Sequence, residues 1–242
     1  MTLFSSYPDW VLVLLYSSFA GLAIPVGAYI AKIEHITPNW LEIELRHFVI
    51  AFGGGVLLAA VTLVLIPEGI KNLSPFLAIG IFLCGGITFY FIDRLIEKHG
   101  GNYSQLIAMM ADFVPEAMAL GAMLIDRNPA TLLLVLLISL QNLPEGFNAY
   151  REIIDKGKHE PKHIMMWFYG LVLVGPFSAF IGAELLSGDS IMIAGVMMFS
   201  SGGILYLVFQ DIAPQAHFKK KWAPPLGAVL GYALGLLGHL LL

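Results

Sequence analysis

Cysteine and charge are both scarce in this sequence. The chain has one cysteine, Cys84, and charged residues make up only 12% of its 242 positions. A single cysteine excludes an intramolecular disulfide and a cysteine metal cluster. Because globular domains carry about 25% charged residues, a soluble domain is excluded too. Hydrophobic residues, by contrast, make up 58% of the chain, and the mean hydropathy is +0.80, which is typical of a membrane protein.

Sequence signals for several other functions are also missing. The first ten residues contain no Lys or Arg, so we expect no cleaved signal peptide and a first span that is retained. The glycines at 53–55 lack the lysine of a nucleotide-binding loop, so ATP-driven transport by this chain is not expected. The three lysines at 219–221 are a short basic run that we interpret as an orientation signal, so no nucleic-acid partner is predicted.

Long apolar stretches account for almost the whole chain. Each is about 20 residues long, which is the length that crosses a bilayer as a helix. We therefore predict an all-α membrane protein with eight transmembrane helices, in which residues 1–242 form a single transmembrane domain surrounded by lipid. The predicted spans are 8–31, 46–67, 75–96, 104–125, 130–151, 163–186, 190–213 and 223–242.

Lysine and arginine are distributed unequally between the two sides that eight spans create. One side holds only Lys71 and Arg127, whereas eleven basic residues lie in or beside the loops after the first, third, fifth and seventh spans. Because basic loops stay in the cytoplasm, we predict a multi-pass protein of the cell membrane with both termini outside the cytoplasm. The eleven are Lys32, Arg46, Arg94, Lys98, Arg151, Lys156, Lys158, Lys162, Lys219, Lys220 and Lys221.

The second and seventh predicted helices share a pattern at a constant offset. They run in opposite directions, so the match favours an inverted repeat of helices 1–3 and 6–8 around helices 4 and 5, a plan common in secondary transporters. The alternative is a chance match between two apolar helices rich in the same residues. The matching positions are Phe52, Gly55, Leu58, Val61 and Pro67 against Phe199, Gly202, Leu205, Val208 and Pro214.

Two glutamates, Glu116 and Glu145, each follow a proline inside an apolar span. A carboxylate at that depth is costly unless something binds it, so these positions predict a functional site. Asp112 precedes Glu116 by four residues and Gln141 precedes Glu145 by four, so each pair shares a helix face. In antiparallel helices, Asp112 and Glu145 fall at similar depth, about 10–15 Å into the membrane, with the other two about one turn further out.

Four oxygen-bearing side chains near one depth favour a divalent cation, because three carboxylates without one would repel each other. Pro115 and Pro144 add to this interpretation, since each frees a backbone carbonyl, that of Ala111 or Leu140, to face a cavity or a ligand. The alternative is that the prolines are ordinary kinks and the glutamates are protonated and hydrogen-bonded between helices.

These motifs resemble the ZIP metal transporters, the zinc- and iron-regulated permease group. The resemblance covers essentially the whole chain: the paired Pro-Glu motifs, the string QNLPEG at 141–146, the string LIPEG at 65–69 that ends the second helix, and eight spans with both ends outside. It implies a transporter domain that moves a divalent metal, usually zinc, into the cytoplasm through a site between helices 4 and 5. No resident cofactor is implied, because the metal is the transported substrate.

The resemblance implies that the metal ligands are Asp112, Glu116, Gln141 and Glu145. The family usually has histidine where this chain has Asp112, which leaves a set of oxygen ligands. Oxygen ligands suit Fe²⁺ and Mn²⁺ comparatively better than nitrogen or sulfur would, and zinc also accepts them. We therefore expect Zn²⁺ or a related ion, Fe²⁺, Mn²⁺ or Cd²⁺, without narrow zinc specificity.

A second, adjacent metal site occurs in some members of the family. Its positions are held in this chain by Phe113, Asn142 and Gly175. Because phenylalanine and glycine offer no ligating side chain, we expect one metal at the site between helices 4 and 5, and not a binuclear site.

Two other functions remain open at this point. One is a metal-binding membrane sensor or scaffold that does not transport. The other is an intramembrane metal-dependent hydrolase, which would use the same acids to activate water but lacks a histidine base near Ser139. We predict a protein that is not an enzyme.

Several further residues are weaker candidates. Asp211, with Gln210, lies near the inner end of the seventh helix and either lines an exit path or is simply placed at the membrane interface. Asn148 follows Glu145 by three residues and is a candidate to add an oxygen or a hydrogen bond to the face of the site. Glu68 is either a collector of cations near the entrance or, more simply, an exposed helix-end carboxylate. The glycines at 227, 231 and 235 let helices pack closely, within the fold or in a homodimer. The loop histidines are His35, His47, His99, His159, His163 and His217, which either receive the leaving metal or are simply solvated.

Overall fold

The computed structural model is all-helical, and it describes residues 7–34, 39–99, 101–156, 160–216 and 222–241. Eight helices within these ranges are long and apolar enough to cross a membrane, so the predicted all-α membrane fold with eight spans is confirmed. The helices are α1 Asp9–Ile33, α2 Asn39–Ala60 with its continuation to residue 69, α3 Pro75–His99, α4 Ser104–Ile125, α5 Thr131–Lys156, α6 formed by Pro161–Leu171 and Val174–Leu186, α7 Ser190–Leu207 with its continuation to residue 216, and α8 Ala223–Leu241.

Two of the helices, α2 and α7, each contain one turn of π-helix followed by a short α-helical end. The π turns are Val61–Leu65 and Val208–Ile212, and each is followed by a proline at the second residue of the next turn. A proline clashes with the carbonyl four residues before it, and in both helices that carbonyl belongs to the π turn, whose wider backbone makes room for the ring.

The helices pack in four main pairs, α1 with α5, α2 with α8, α3 with α7, and α4 with α6. Glycines bring the partners of a pair close enough for backbones to touch. In the α4–α6 pair, for example, a Cβ atom at Gly182 would lie 1.9 Å from the carbonyl oxygen of Met118, and one at Gly121 would lie 1.9 Å from that of Ala179. The separation of these helices therefore depends on the absence of two side chains.

The close contacts in one pair recur in another pair at constant offsets along the chain. The π turns of α2 and α7 begin at Val61 and Val208, which are matching positions when residues 52–67 are aligned with residues 199–214. These correspondences support the inverted-repeat interpretation, which stays a prediction. In α1–α5, Gly27 meets Leu143 and Gly146 meets Ile24; the corresponding contacts in α4–α6 are Gly182 with Met118 and Gly121 with Ala179. In α2–α8, Gly55 meets Ala228 and Gly231 meets Phe52; the corresponding contacts in α3–α7 are Gly202 with Phe82 and Gly85 with Phe199.

The centre of the bundle is formed by α2, α4, α5 and α7, whereas α3 and α8 lie at its edge. In the most apolar window of α5, 67% of residues are buried, compared with 17% in α3 and 22% in α8. The glycine face of α8 packs against α2, since added Cβ atoms at Gly227 and Gly231 would meet the carbonyl oxygens of Phe48 and Phe52. This face is therefore used within the chain, and a homodimer would need another surface.

Candidate metal site

The four predicted ligands lie on the facing sides of α4 and α5, in the middle of the bundle. Asp112 is 3% exposed, and Glu116 and Gln141 are fully buried, while Glu145 is half-buried. Both helices continue through their prolines, Pro115 in α4 and Pro144 in α5. The polar side chains are therefore held on two continuous helices and not on a loop.

Gln141 and Glu116 contact each other across the two helices. The Nε2 atom of Gln141 donates a hydrogen bond of 2.6 Å to Oε2 of Glu116. The expected match in depth between these two residues is therefore present as a direct contact. The bond uses one carboxylate oxygen of Glu116 and leaves the amide oxygen of Gln141 available.

Each of the four residues also carries a buried oxygen atom for which the described residues provide no hydrogen-bond donor. A buried acceptor without a donor costs free energy, about 1–3 kcal/mol for a neutral group and more for a charged one. Four such atoms in one region can be satisfied by water, by a proton on a carboxyl group or by a bound cation. The atoms are Asp112 Oδ1, Glu116 Oε1, Gln141 Oε1 and Glu145 Oε2.

The four predicted ligands differ in their relation to a cavity of about 50 Å³, which only two of them line. Asp112 and Glu145 line the cavity, whereas Glu116 and Gln141 do not and lie buried behind it. Within the described ranges, no three side chains of His, Cys, Asp or Glu are gathered closely enough to hold a metal ion as they stand. A bound cation would therefore require small side-chain movements to bring the two pairs together.

A second cavity, of about 190 Å³, lies between the first one and the membrane face that contains Arg46 and Arg151. We call this face the basic face. Asn148 and Gln215 line both cavities, and Glu152 and Asp155 line the second one only. The polar pathway from Glu145 therefore continues to the basic face.

Glu152 and Asp155 are members of this pathway that the sequence analysis missed. A recognisable signal was present, because the oxygen-bearing residues of α5 recur at alternating spacings of four and three, which keeps them on one face of a helix. These residues are Gln141, Glu145, Asn148, Glu152 and Asp155.

Toward the opposite membrane face, α4 and α5 contribute apolar side chains in place of polar ones. Leu120 and Met123 of α4 and Leu134 of α5 are buried in the same core as Val64 and Leu65 of the π turn in α2. In the described residues, both cavities lie on the basic side of this packed layer. The two cavities beside the candidate site thus lie toward the basic face, and these side chains of α4 and α5 toward the opposite face are packed in the apolar core.

The residues at the positions of a second metal site are engaged in packing. The Phe113 ring is buried, and a Cβ atom on Gly175 would lie 3.0 Å from its Cζ. The Asn142 side chain donates a hydrogen bond of 3.0 Å to the carbonyl oxygen of Ala20 in α1. This packing agrees with the expectation of a single site, which stays a prediction.

Among the residues that the structure describes, the face opposite the basic face holds two ion pairs. The side chain of Glu68 is only 13% exposed; it lies 2.5 Å from Lys71 Nζ and accepts a hydrogen bond of 2.8 Å from Asn128 Nδ2. The interpretation of Glu68 as an exposed helix-end carboxylate is therefore wrong, because Asn128 covers it from the α4–α5 loop. The second pair joins Arg127 and Asp9 at 3.5 Å.

The remaining candidates have separate outcomes. Asp211, in the π turn of α7, lines the first cavity together with Asn148. The Ser139 hydroxyl donates to the carbonyl oxygen of Val135 at 2.7 Å, as an ordinary helix hydroxyl does. Among the histidines, His47, His99 and His163 are described and do not line either cavity, whereas His35, His159 and His217 lie outside the described residues.

No model of a known protein family matches this chain. The chain is similar to a protein of Escherichia fergusonii named zinc transporter ZupT, with 24% identity over 139 residues, which are 57% of this chain and 48% of that protein. The matched region spans about half the length of this relative. The similarity is distant. It supports the resemblance to metal transporters in general, and it does not bear on one particular ion or site.

Proposed function

We propose that this chain is a transporter of divalent metal cations, with Asp112, Glu116, Gln141 and Glu145 as the site through which the ion crosses the membrane. The observation that carries the proposal is the set of four buried oxygen atoms, one on each residue, that lack a hydrogen-bond donor. A divalent cation satisfies such atoms and offsets the repulsion among the three acids. The similarity to a zinc transporter supports this class of substrate.

Zn²⁺, Fe²⁺, Mn²⁺ and Cd²⁺ are the proposed substrates. The four side chains offer only oxygen, which hard cations such as Mn²⁺ accept and which zinc tolerates. The ion is cargo, and the chain needs no resident cofactor. No catalytic role follows for Ser139, since its hydroxyl is bonded to the helix backbone.

The proposed path has two parts that alternate in their exposure. In the present state Asp112 and Glu145 face the cavity that leads to the basic face, which the charge distribution predicts to be cytoplasmic. This is the state from which an ion would be released. Uptake then requires a second state in which the apolar layer containing Leu120 and Leu134 opens on the opposite face.

The arrangement of Gln141 and Glu116 suits the passage of an ion. The amide nitrogen of Gln141 is bonded to one oxygen of Glu116, so the amide oxygen and the other carboxylate oxygen remain as acceptors. An ion that contacts these two atoms and the acids at the cavity wall is held by both helices at once. When the ion leaves, the hydrogen bond keeps the buried carboxylate partly satisfied.

The test is metal flux in liposomes that contain only this protein. Uptake of Zn²⁺, Fe²⁺, Mn²⁺ and Cd²⁺ is measured for the natural chain, for Glu145→Gln and for Glu97→Gln. Glu97 is an exposed acid at the end of α3 and serves as the matched control. We expect flux of at least one metal in the natural chain and the control, and loss of flux in Glu145→Gln. Absence of flux for all four metals in the natural chain would contradict the proposal.

A non-transporting metal sensor is the second candidate function. The observation that favours it is the packed apolar layer, which closes one side of the site. The same liposome samples decide between the two functions. Metal binding that depends on Glu145, without flux, would identify a sensor.

A further inference from the structure

One face of α5 carries polar residues beyond the proposed transport site. Asn148 and Glu152 follow Glu145 by three and seven residues. At 1.5 Å per residue they lie about 4.5 Å and about 10.5 Å further along the helix axis, on the same side. Both line the cavity that leads to the basic face.

Asn148 presents a buried oxygen that lacks a partner. The residue is 9% exposed, and its Oδ1 atom has no hydrogen-bond donor within the described part of the chain. Asn148 lines both cavities, so the residue lies between them. A buried amide oxygen in that position is suited to contact an ion or its bound water.

Glu152 places a carboxylate in the wall of the second cavity. The residue is 8% exposed, and its Oε2 accepts a hydrogen bond of 2.8 Å from the backbone nitrogen of Gln105, in the first turn of α4. The one described base in the wall, Arg46, lies 3.6 Å from Asp155.

The two acids of α5 line different cavities. Glu145 lies in the wall of the first cavity and Glu152 in the wall of the second, and their Cα positions are about 10.5 Å apart along the helix axis. Divalent cations contact oxygen ligands at about 2.0–2.6 Å, so an ion bound to Glu145 in the first cavity and an ion bound to Glu152 in the second occupy separate positions. The cavity of about 190 Å³ has room for an ion that keeps several of its waters.

We propose that Asn148 and Glu152 form a second divalent-cation site, which receives the ion after it leaves Glu145. This inference rests on the proposed transport function. The site supplies one amide oxygen and one carboxylate, and water completes the coordination. With fewer protein ligands than the first site, it binds the ion more weakly and releases it to the basic face.

The test counts Mn²⁺ ions bound by the purified full chain in nanodiscs, from the loss of the free-ion signal in electron paramagnetic resonance. We expect two sites of different affinity in the natural chain. Glu152→Gln should remove the weaker one, and its amide oxygen still accepts the hydrogen bond from Gln105, so the fold is retained. Glu145→Gln should instead remove the tighter one, and Glu97→Gln should change neither.

The second part of the test is a variant that should increase the affinity of the weaker site. Asn148→Asp adds a carboxylate beside Glu152 and should tighten the weaker site about tenfold. The inference is overturned if Glu152→Gln and Asn148→Asp leave the weaker dissociation constant unchanged, or if the natural chain binds one ion that only Glu145→Gln abolishes. In that last case the proposed transport function survives. If the natural chain binds no Mn²⁺, Zn²⁺ or Cd²⁺ at all, both fail together.

Discussion

Toward the basic face, α4 and α5 surround cavities with Asp112, Glu145 and Asn148, whereas toward the opposite face the same two helices bury Leu120 and Leu134 in the apolar core. Both helices are continuous through these regions. The contrast between an accessible half, which contains the cavities, and a packed half, which contains Leu120 and Leu134, therefore comes from the side chains and their packing, not from a break in either helix. The four candidate ligands lie at the boundary between the halves.

The largest expected effect concerns the acid buried behind the cavity wall. Glu116→Gln keeps the size of the side chain but removes the charge, so it should reduce the initial rate of metal uptake by liposomes about 100-fold or more. The comparable variant at the exposed Glu97 should leave the rate unchanged. If Glu116→Gln takes up metal at the same rate as the natural chain, then only the cavity-lining pair, Asp112 and Glu145, matters for transport.

Chemical labelling tests the contrast between the halves directly. In a chain whose single cysteine is removed by Cys84→Ser, new cysteines at Asn148 and at Leu120 are treated from the basic face with a membrane-impermeant thiol reagent. We expect the cysteine at 148 to react about 100-fold faster, since reaction at 120 requires local opening of the packed core. Equal rates would contradict the close packing around Leu120.

The packed half should also depend on the close crossing of α4 and α6. Gly182→Ala places a methyl group against the carbonyl oxygen of Met118, so we expect a loss of about 1–3 kcal/mol in the free energy of unfolding. The control is Gly170→Ala in α6, where no atom beyond the adjacent residues and backbone of its own helix lies within 4 Å of the added Cβ. Thermal unfolding in detergent measures both. A loss as large in the control would show that the crossing is not the cause.

The smallest expected effect is a change of substrate preference. Asp112→His introduces a nitrogen ligand in the accessible half and should shift the ratio of zinc to manganese uptake toward zinc, by about tenfold. Competition between the two metals at controlled pH measures the ratio. An unchanged ratio would remove Asp112 from the residues that determine selectivity.

The eight spans could be predicted from the sequence because the length of a membrane helix is set by the bilayer and leaves a plain apolar signal. The similar depth of Glu116 and Gln141 could be predicted from their spacing in antiparallel helices, whereas their direct contact also depends on how the two helices pack. That Asp112, Glu116, Gln141 and Glu145 bind metal stays a prediction.

Other features depend on side-chain directions or on distant partners. The separation of the four candidate ligands into a cavity-lining pair and a buried pair is not visible in their spacing. The environment of Glu68 was misjudged because its partner Asn128 is 60 residues away in sequence. Glu152 was missed even though its spacing from Glu145 was readable, since a carboxylate near a helix end is ordinarily exposed.

The ion pairs on the face opposite the basic face change the electrostatic potential that a cation would meet there. Lys71 and Arg127 are the two basic residues that the orientation count assigns to that face, and they are paired with Glu68 and Asp9. Their electrostatic potential is therefore offset within a few ångströms, and the barrier to the approach of a positive ion is lowered. Loss of either acid would leave a positive charge there, which should slow the association of metal most at low ionic strength, where screening is weakest.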